Sequence, residues 1–454
     1  MDNRSGPYRL SAGEEKRSAD FFKNSRIPPA VDGAIIEYIA KKTGKSWNDP
    51  VVLERLRRAI VAQKAGYWKS DRKRKPAYTK GYSVLGYLAY HFPVYFMQTE
   101  YILQDLAGAG LLKPEIVILD VGTGPGVVPL AVADFFSRLD HASASVFSIE
   151  RSEENIEAFR FLRQAVFPVK GNTTLHTPVQ ADIREIDDRK IPGPVDLLVF
   201  SNVVNELETA TIDDAVDLVM QFSGHVRQDG TILIVEPAEE VTATRLRVLT
   251  RALQDRGLTV HSPCPVIRAT RCDPSRCWSF MTRPTIYPTR LMETLAACDE
   301  AYRYLNTDIK YAYAILRKDG TTRQDVLVPP QAKVARLSKL HQHINRSINV
   351  VAAKMSQDLG DRKTHVFKIC DGTAAKPAYV VLPEYYRTAS NDLIMKEPYG
   401  GILEFRQVIV RYNRQHDAYN LLANRNTGIL RYGETAGSPE GPDAAKPAGT
   451  RKRG

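Results

Sequence analysis

Hydrophobic and polar positions along the chain change their period twice. Over the first ~110 residues apolar positions recur at helical spacing. Residues 51–62 form a basic amphipathic stretch, and 87–106 a longer apolar one with Pro93 near a kink or a start. From about residue 114, short apolar runs alternate with helical patterns. Residues 116–120, 146–150, 196–201 and 231–236 read as buried strands, 127–139, 153–164 and 213–226 as helices, and 312–317 as a last strand. Strand and helix alternating at this spacing predict an α/β fold with a doubly wound, mostly parallel sheet. After Lys318-Asp319-Gly320 the character shifts again: 335–359 reads as helical, and 365–370, 378–382 and 402–412 read as strands. The expected organisation is an N-terminal helical, basic region over 1–110 and an α/β domain over 111–320 with a cysteine insertion at about 261–280. A small C-terminal α+β domain over 321–433 and a disordered tail over 434–454 complete it. No internal repeat is present.

Composition narrows the class. The 454 residues carry 63 Lys+Arg against 52 Asp+Glu, a formal charge of +11, with 43% hydrophobic residues, so most of the chain can bury a core. No stretch approaches the ~20 consecutive apolar residues of a membrane span. The first residues lack the apolar core of a secretory signal, and Asp2, Glu14, Glu15 and Asp20 argue against a mitochondrial presequence. These features favour a protein of a prokaryotic cytoplasm with no membrane partner, expected as a monomer. Charge is concentrated between Glu54 and Lys80, where ten Lys/Arg face two Asp/Glu. Lys69, Arg72, Lys73, Arg74 and Lys75, flanked by Tyr67, Trp68, Tyr78 and Tyr82, read as a phosphate-contacting patch with aromatic rings for stacking; the alternative is a solvated loop.

The candidate chemistry begins at Asp120-Val121-Gly122-Thr123-Gly124-Pro125-Gly126, between a strand and a helix. Residues without side chains let such a turn bring backbone close to a ligand. Glu150 ends the next strand, where an acceptor for a ribose diol belongs. The Gly-x-Gly-x-Gly spacing differs from the pyrophosphate fingerprint. Asp120 suits the ammonium of S-adenosylmethionine (SAM), and Asp182 the adenine amino group. Asp120, Gly122, Gly124, Gly126, Glu150 and Asp182 thus form a cofactor set, with a dinucleotide fold as the alternative. Asn205 and Glu206, after the next strand, are the candidate catalytic pair facing the methyl group; the competing role is capping the following helix. No cysteine lies nearby for covalent attack on a base.

Three of the five cysteines, Cys264, Cys272 and Cys277, fall within fourteen residues. A tetrahedral zinc or an iron–sulfur cube needs a fourth ligand. Cys298 lies in an apolar helical stretch and reads as core, whereas Cys370 ends a strand before Asp371-Gly372, so Cys370 is the expected fourth thiolate and His261 its rival. Prolines beside the thiols favour 4Fe–4S, with zinc as the alternative. A radical-SAM arrangement does not fit the spacing of Cys264 from Cys272.

Tyr87-Leu88-Ala89-Tyr90-His91-Phe92-Pro93, the glycine turn, Asn205-Glu206-Leu207, Val235-Glu236-Pro237, Pro263-Cys264-Pro265, Cys277-Trp278-Ser279-Phe280 and the strand carrying Cys370 occur in that order. Together they resemble the methyltransferase-like family of small-ribosomal-subunit assembly factors, known from mitochondria and with prokaryotic relatives. The resemblance covers roughly 80–410. It implies a SAM-methyltransferase (Rossmann-like) fold and a 4Fe–4S cluster on Cys264, Cys272, Cys277 and Cys370. It also implies binding to the small ribosomal subunit and its rRNA during assembly, and it opens a mitochondrial location. Pro265-Val266 after Cys264, and Cys277 before Trp278, depart from the family's Cys-Pro-His and Trp-Cys-His-Phe patterns. Retained methyl transfer to rRNA is one alternative; a small-molecule methyltransferase with a structural zinc is another, and it would show a closed apolar pocket instead of an open positive face.

Overall fold

The computed structural model describes residues 6–68, 81–167, 171–207, 211–265, 267–268, 272–324 and 326–433. Five helices lead: α1 (Ala12–Asn24), α2 (Pro29–Thr43), α3 (Pro50–Trp68), α4 (Tyr82–Tyr90) and α5 (Phe92–Gly108). Ser11 and Glu14 close a capping box that starts α1, and Pro29 opens α2 with φ already helical. Pro93 does not kink a long helix. It sits in the first turn of α5, where a missing N–H costs no hydrogen bond.

The α/β domain continues with β1 (Glu115–Val121), α6 (Val127–Ser137), β2 (Ser143–Glu150), α7 (Glu153–Val166), β3 (Thr173–Leu175) and β4 (Val179–Gln180). Then follow β5 (Val195–Ser201), α8 (Ile212–Ser223), β6 (Val226–Pro237), α9 (Glu240–Asp255), β7 (Thr259–Ser262), β8 (Met281–Arg283), α10 (Arg290–Leu295) and β9 (Ile309–Arg317). The sheet runs β3-β2-β1-β5-β6-β9-β7, with β4 beside β2 and β8 beside β9. β1, β2, β5 and β6 pair in parallel and β9 is antiparallel to β6. This is the doubly wound, Rossmann-like sheet of the SAM-methyltransferase class. Its two faces carry separate cores. Phe96, Leu130 and Phe135 lie in one, and Phe200, Val219 and Leu246 in the other. That two-sided burial is why the strands read as continuous apolar runs.

The C-terminal domain comprises β10 (Ser347–Lys354), β11 (Thr364–Cys370), β12 (Ala378–Pro383), α11 (Leu393–Lys396), β13 (Ile402–Asn413), β14 (Ala418–Leu422) and β15 (Gly428–Arg431). β10 pairs with both β11 and β13, so the six strands curl toward a barrel around Val380, Phe405 and Leu421. The stretch 335–359, expected to be helical, is a 3-10 turn at Leu337–His343 followed by β10. Ile348, Val350 and Val351 are β-branched and bond across to β13, with Val351 opposite Glu404. Non-local pairing overrides the local helical spacing there. Cys298 is a second correction: it is exposed, because α10 ends at Leu295 and leaves the thiol in the turn beyond the core.

The C-terminal domain is seated on the cysteine block by polar contacts. Arg268 and Asp371 form a buried pair at 3.3 Å, and Lys368 Nζ donates to the Trp278 carbonyl. Arg247 of α9, buried, donates to the carbonyls of Tyr313 (2.7 Å) and Ser279 (3.1 Å) and reaches the Tyr399 hydroxyl at 3.4 Å. A buried guanidinium whose donors are satisfied ties three segments with fixed geometry.

Candidate cofactor cavity and cysteine block

The carboxyl ends of β1, β2 and β5 open into a cavity of about 420 Å³. Asp120, Gly124, Glu150, Asp182, Asn202 and Glu206 are among its lining residues, with Tyr87 and Tyr95 forming a wall from the helical region. Crevices at the strand ends of a doubly wound sheet are where such folds take ligands.

The turn is held by its own backbone. The N–H groups of Gly122 and Thr123 donate to the Ile149 carbonyl at 2.8 and 3.0 Å, and Gly124 N–H donates to Glu150 Oε2 at 2.9 Å. Gly122, Gly124 and Gly126 all have positive φ (74°, 55° and 87°). Their surroundings differ. A Cβ on Gly126 would lie 2.1 Å from Phe159 and one on Gly122 2.6 Å from Val203, whereas one on Gly124 would meet nothing within 4 Å. Gly122 and Gly126 therefore serve packing, and Gly124 faces open space.

Asp120 is buried, and its Oδ2 has no hydrogen-bond partner among the described residues. Burial, reinforced by the Glu150 carboxylate, pushes its pKa up to about 7 despite the opposing Thr123 hydroxyl. Such a carboxylate would be stabilised by a cationic ligand group. Glu150 also accepts Ser152 N–H at 2.7 Å, so it orders the turn while facing the cavity. Asp182 lines the rim but is held by Arg184 at 2.7 Å, which brings its pKa down to about 2, with Arg151 at 3.7 Å.

The candidate pair separates. Glu206 lines the cavity; Asn205 does not. Neither caps α8, which starts on a capping box of Thr211 and Asp214. Glu236, at the end of β6, accepts the N–H groups of Val204 (3.0 Å) and Asn205 (3.3 Å) and so fixes the turn carrying Glu206. Burial raises the Glu236 pKa to about 8. Sequence reasoning missed Asn202, which lines the cavity with φ of 57°, and the ring wall of Tyr87 and Tyr95. The signal was there: Tyr87, His91 and Tyr95 recur every four residues, and the rings of His91 and Tyr95 stack at 5.6 Å.

Cys277 influences Cys264, Cys272 and Cys370 electrostatically, and Cys264 is also influenced by Cys272. Burial, then Cys277 and Cys272, raise the Cys264 pKa to about 11 against the pull of Arg247. Burial and then Cys277 also raise that of Cys370, whose Sγ accepts Gly372 N–H at 3.3 Å. Among the described residues, no group of three or more His, Cys, Asp or Glu side chains is arranged to hold a metal ion. His261, on β7, is buried, and its pKa falls to about 4 through burial and then Arg317 and Arg323. The basic residues Lys69, Arg72, Lys73, Arg74 and Lys75 lie outside the described residues. No described helix is long and apolar enough to cross a membrane.

Residues 81–363 match the family described as mitochondrial small ribosomal subunit Rsm22. The chain belongs to the Rsm22 family. Residues 338–432 of this Rsm22-family chain also match the C-terminal domain of a domain of unknown function, DUF8157. No curated protein sequence matches it. Among solved structures, the mitomycin 7-O-methyltransferase MmcR is 18% identical with a TM-score of 0.28. That alignment covers 40% of the Rsm22-family chain and spans about half (52%) of MmcR. The magnesium protoporphyrin IX methyltransferase of Synechocystis PCC 6803 with bound SAM is 15% identical, covering 57% of this chain and 96% of that one, with a TM-score of 0.29. A putative RNA methyltransferase from Pyrococcus horikoshii is 12% identical over the same shares, with a TM-score of 0.29.

Proposed function

We propose that the chain is a methyltransferase-like assembly factor that binds the small ribosomal subunit and its rRNA as a monomer, with SAM in the strand-end cavity. The observation carrying this reading is the Rsm22-family match over 81–363, which spans the cavity and Cys264, Cys272 and Cys277 and ends before Cys370. The residues of the cavity fit SAM. Asp120 would take its ammonium, Gly124 would let backbone approach it, Glu150 would accept from the ribose, and Asp182 would lie toward the adenine. SAM supplies an electrophilic methyl group when bound. The chain's part is to hold it: Glu236 keeps the 203–206 turn in place, and Glu206 and Asn202 face the open side. Active methyl transfer to rRNA is the second reading, for which Glu206 on the cavity lining is the candidate group beside the methyl.

The cysteine block is proposed to hold a 4Fe–4S cluster on Cys264, Cys272, Cys277 and Cys370. Donor chemistry supports this: the thiols share one electrostatic neighbourhood, an N–H points at Cys370 Sγ, and buried Arg247 offsets negative charge at Cys264 and Cys277. The family's description is mitochondrial, which supports a mitochondrial location for this chain. The deciding experiment is gradient sedimentation of lysate containing the tagged chain. Co-migration with small-subunit particles is expected; migration only as free protein would reject the reading.

A further inference from the structure

We infer that the C-terminal domain carries its own RNA-binding face, built from the 3-10 turn before β10 and the bulged start of that strand, which grips the phosphate backbone of helical RNA. This deepens the proposed function and rests on its RNA-binding part. The 32 residues 326–357 contain five Lys/Arg and no Asp or Glu, in a chain where acids make up 52 of 454 positions. The fold uses this bias on one surface. Leu337 and Leu340 anchor the turn in the barrel core, which leaves Arg336, Lys339 and His341 exposed. Arg346 is exposed where its carbonyl accepts Val410 N–H at 3.1 Å, and neighbouring Arg411 donates to Asn345 Oδ1. Arg336, Lys339 and Arg346 have no carboxylate partner among the described residues, unlike Arg406, which is paired with Glu404. Lys354, the fifth cation, is buried and donates to the Glu397 carbonyl, so it takes no part.

A second observation concerns the backbone. Asn345 and Gln407, two of the five described non-glycine residues with positive φ, both lie here (65° and 57°). The ladder between β10 and β13 shifts register between Ile348 and Val350, and Asn349 Oδ1 accepts Gln407 N–H at 3.0 Å. Bulges and left-handed residues re-aim side chains at a sheet margin, and such strain persists where it has a use.

The composition selects the partner. Exposed Gln331, Gln342, Asn345, Ser347 and Asn349 accompany the cations, and such amide and hydroxyl groups with Lys/Arg are what contact phosphate and sugar. Residues 326–357 contain no Phe, Tyr or Trp. That removes the aromatic anchors of a protein interface and the stacking platform for single-stranded bases. What is left suits a duplex read by its backbone.

The test is fluorescence anisotropy of the full chain with an RNA duplex, a poly-U strand and polyglutamate as competitor, from 50 to 200 mM salt. The variants are R336E/K339E/R346E, an alanine triple at the same positions in case reversal impairs folding, and R9E/K16E/R160E as the charge-matched control. Each phosphate-neutralising cation adds about 0.9 to the salt slope, so with three of them wild type should lose roughly 40-fold more duplex affinity than the triple variant across that salt range. The control should follow wild type. Equal slopes for the triple variants and wild type overturn the inference while leaving RNA binding elsewhere intact. Stronger, patch-dependent poly-U binding refutes the duplex, and polyglutamate competing as well as duplex at equal charge refutes RNA. Failure of wild type to bind any RNA removes the proposed function as well.

Discussion

Gly124→Ala and Gly126→Ala separate a glycine kept for a ligand from a glycine kept for packing. At Gly126, alanine would adopt φ near 87° with its Cβ 2.1 Å from the Phe159 ring. The left-handed conformation costs about 1–2 kcal/mol and overpacking about 1–3 kcal/mol, so roughly 2–5 kcal/mol in all. At Gly124, φ of 55° carries the same backbone cost, but the Cβ meets nothing within 4 Å. The reduced entropy of the unfolded chain returns about 0.4–1 kcal/mol to both variants, which leaves Gly124→Ala destabilised by roughly 0–1.6 kcal/mol and Gly126→Ala by roughly 1–4.6 kcal/mol. At roughly 2–4 °C per kcal/mol, Gly126→Ala should melt several degrees or more below Gly124→Ala. SAM affinity, measured by equilibrium dialysis below both melting points, should fall at least tenfold in Gly124→Ala, because the added methyl occupies the approach to the backbone. Normal SAM binding by Gly124→Ala, or equal melting of the two variants, would refute this assignment.

Three further outcomes follow from named groups. The Asp120 pKa is raised by burial to about 7, so the folded state favours its neutral form. Ligand-free stability should therefore fall as pH rises from about 4 toward 7, while SAM affinity rises over the upper part of that window. Urea midpoints at pH 5 and 8 should show a smaller drop for Asp120→Asn than for wild type, since Glu236 contributes the same sign to both. Cys272→Ser, purified without oxygen, should lose iron and the absorbance near ~400 nm, and exposed Cys298→Ser should keep both; identical spectra for the two would sink the ligand assignment. Charge reversal at Arg72, Lys73 and Arg74 should weaken RNA binding with a reduced salt slope and leave SAM titrations unchanged; an unaltered salt series would mark that segment as a solvated loop.

The glycine turn beside the cavity was legible because its requirements are local. Strand, positive-φ glycines and helix follow in one stretch of sequence, and Glu150 ends the adjacent strand. Residues whose role depends on neighbours distant in sequence were not. Asp182 lies on the cavity rim, and its ion pairs with Arg184 and Arg151 form only in the folded chain. Asn205 and Glu206 are adjacent in sequence, yet only Glu206 reaches the cavity, because Glu236 holds the backbone of the turn. Tyr87 and Tyr95 belong to helices outside the sheet, and only their packing makes them a cavity wall. The 335–359 stretch has helical spacing but pairs with β13, some fifty residues away, and a barrel-like sheet decides such contests through long-range hydrogen bonds.

Association with the small ribosomal subunit is what the proposed function stands or falls on. It is read most directly by ultraviolet crosslinking of the tagged full chain in cells, followed by sequencing of the bound RNA. The expected result is small-subunit rRNA strongly enriched over large-subunit rRNA, at discrete positions. Equal recovery of both rRNAs, or recovery of neither above an untagged control, would contradict the assignment.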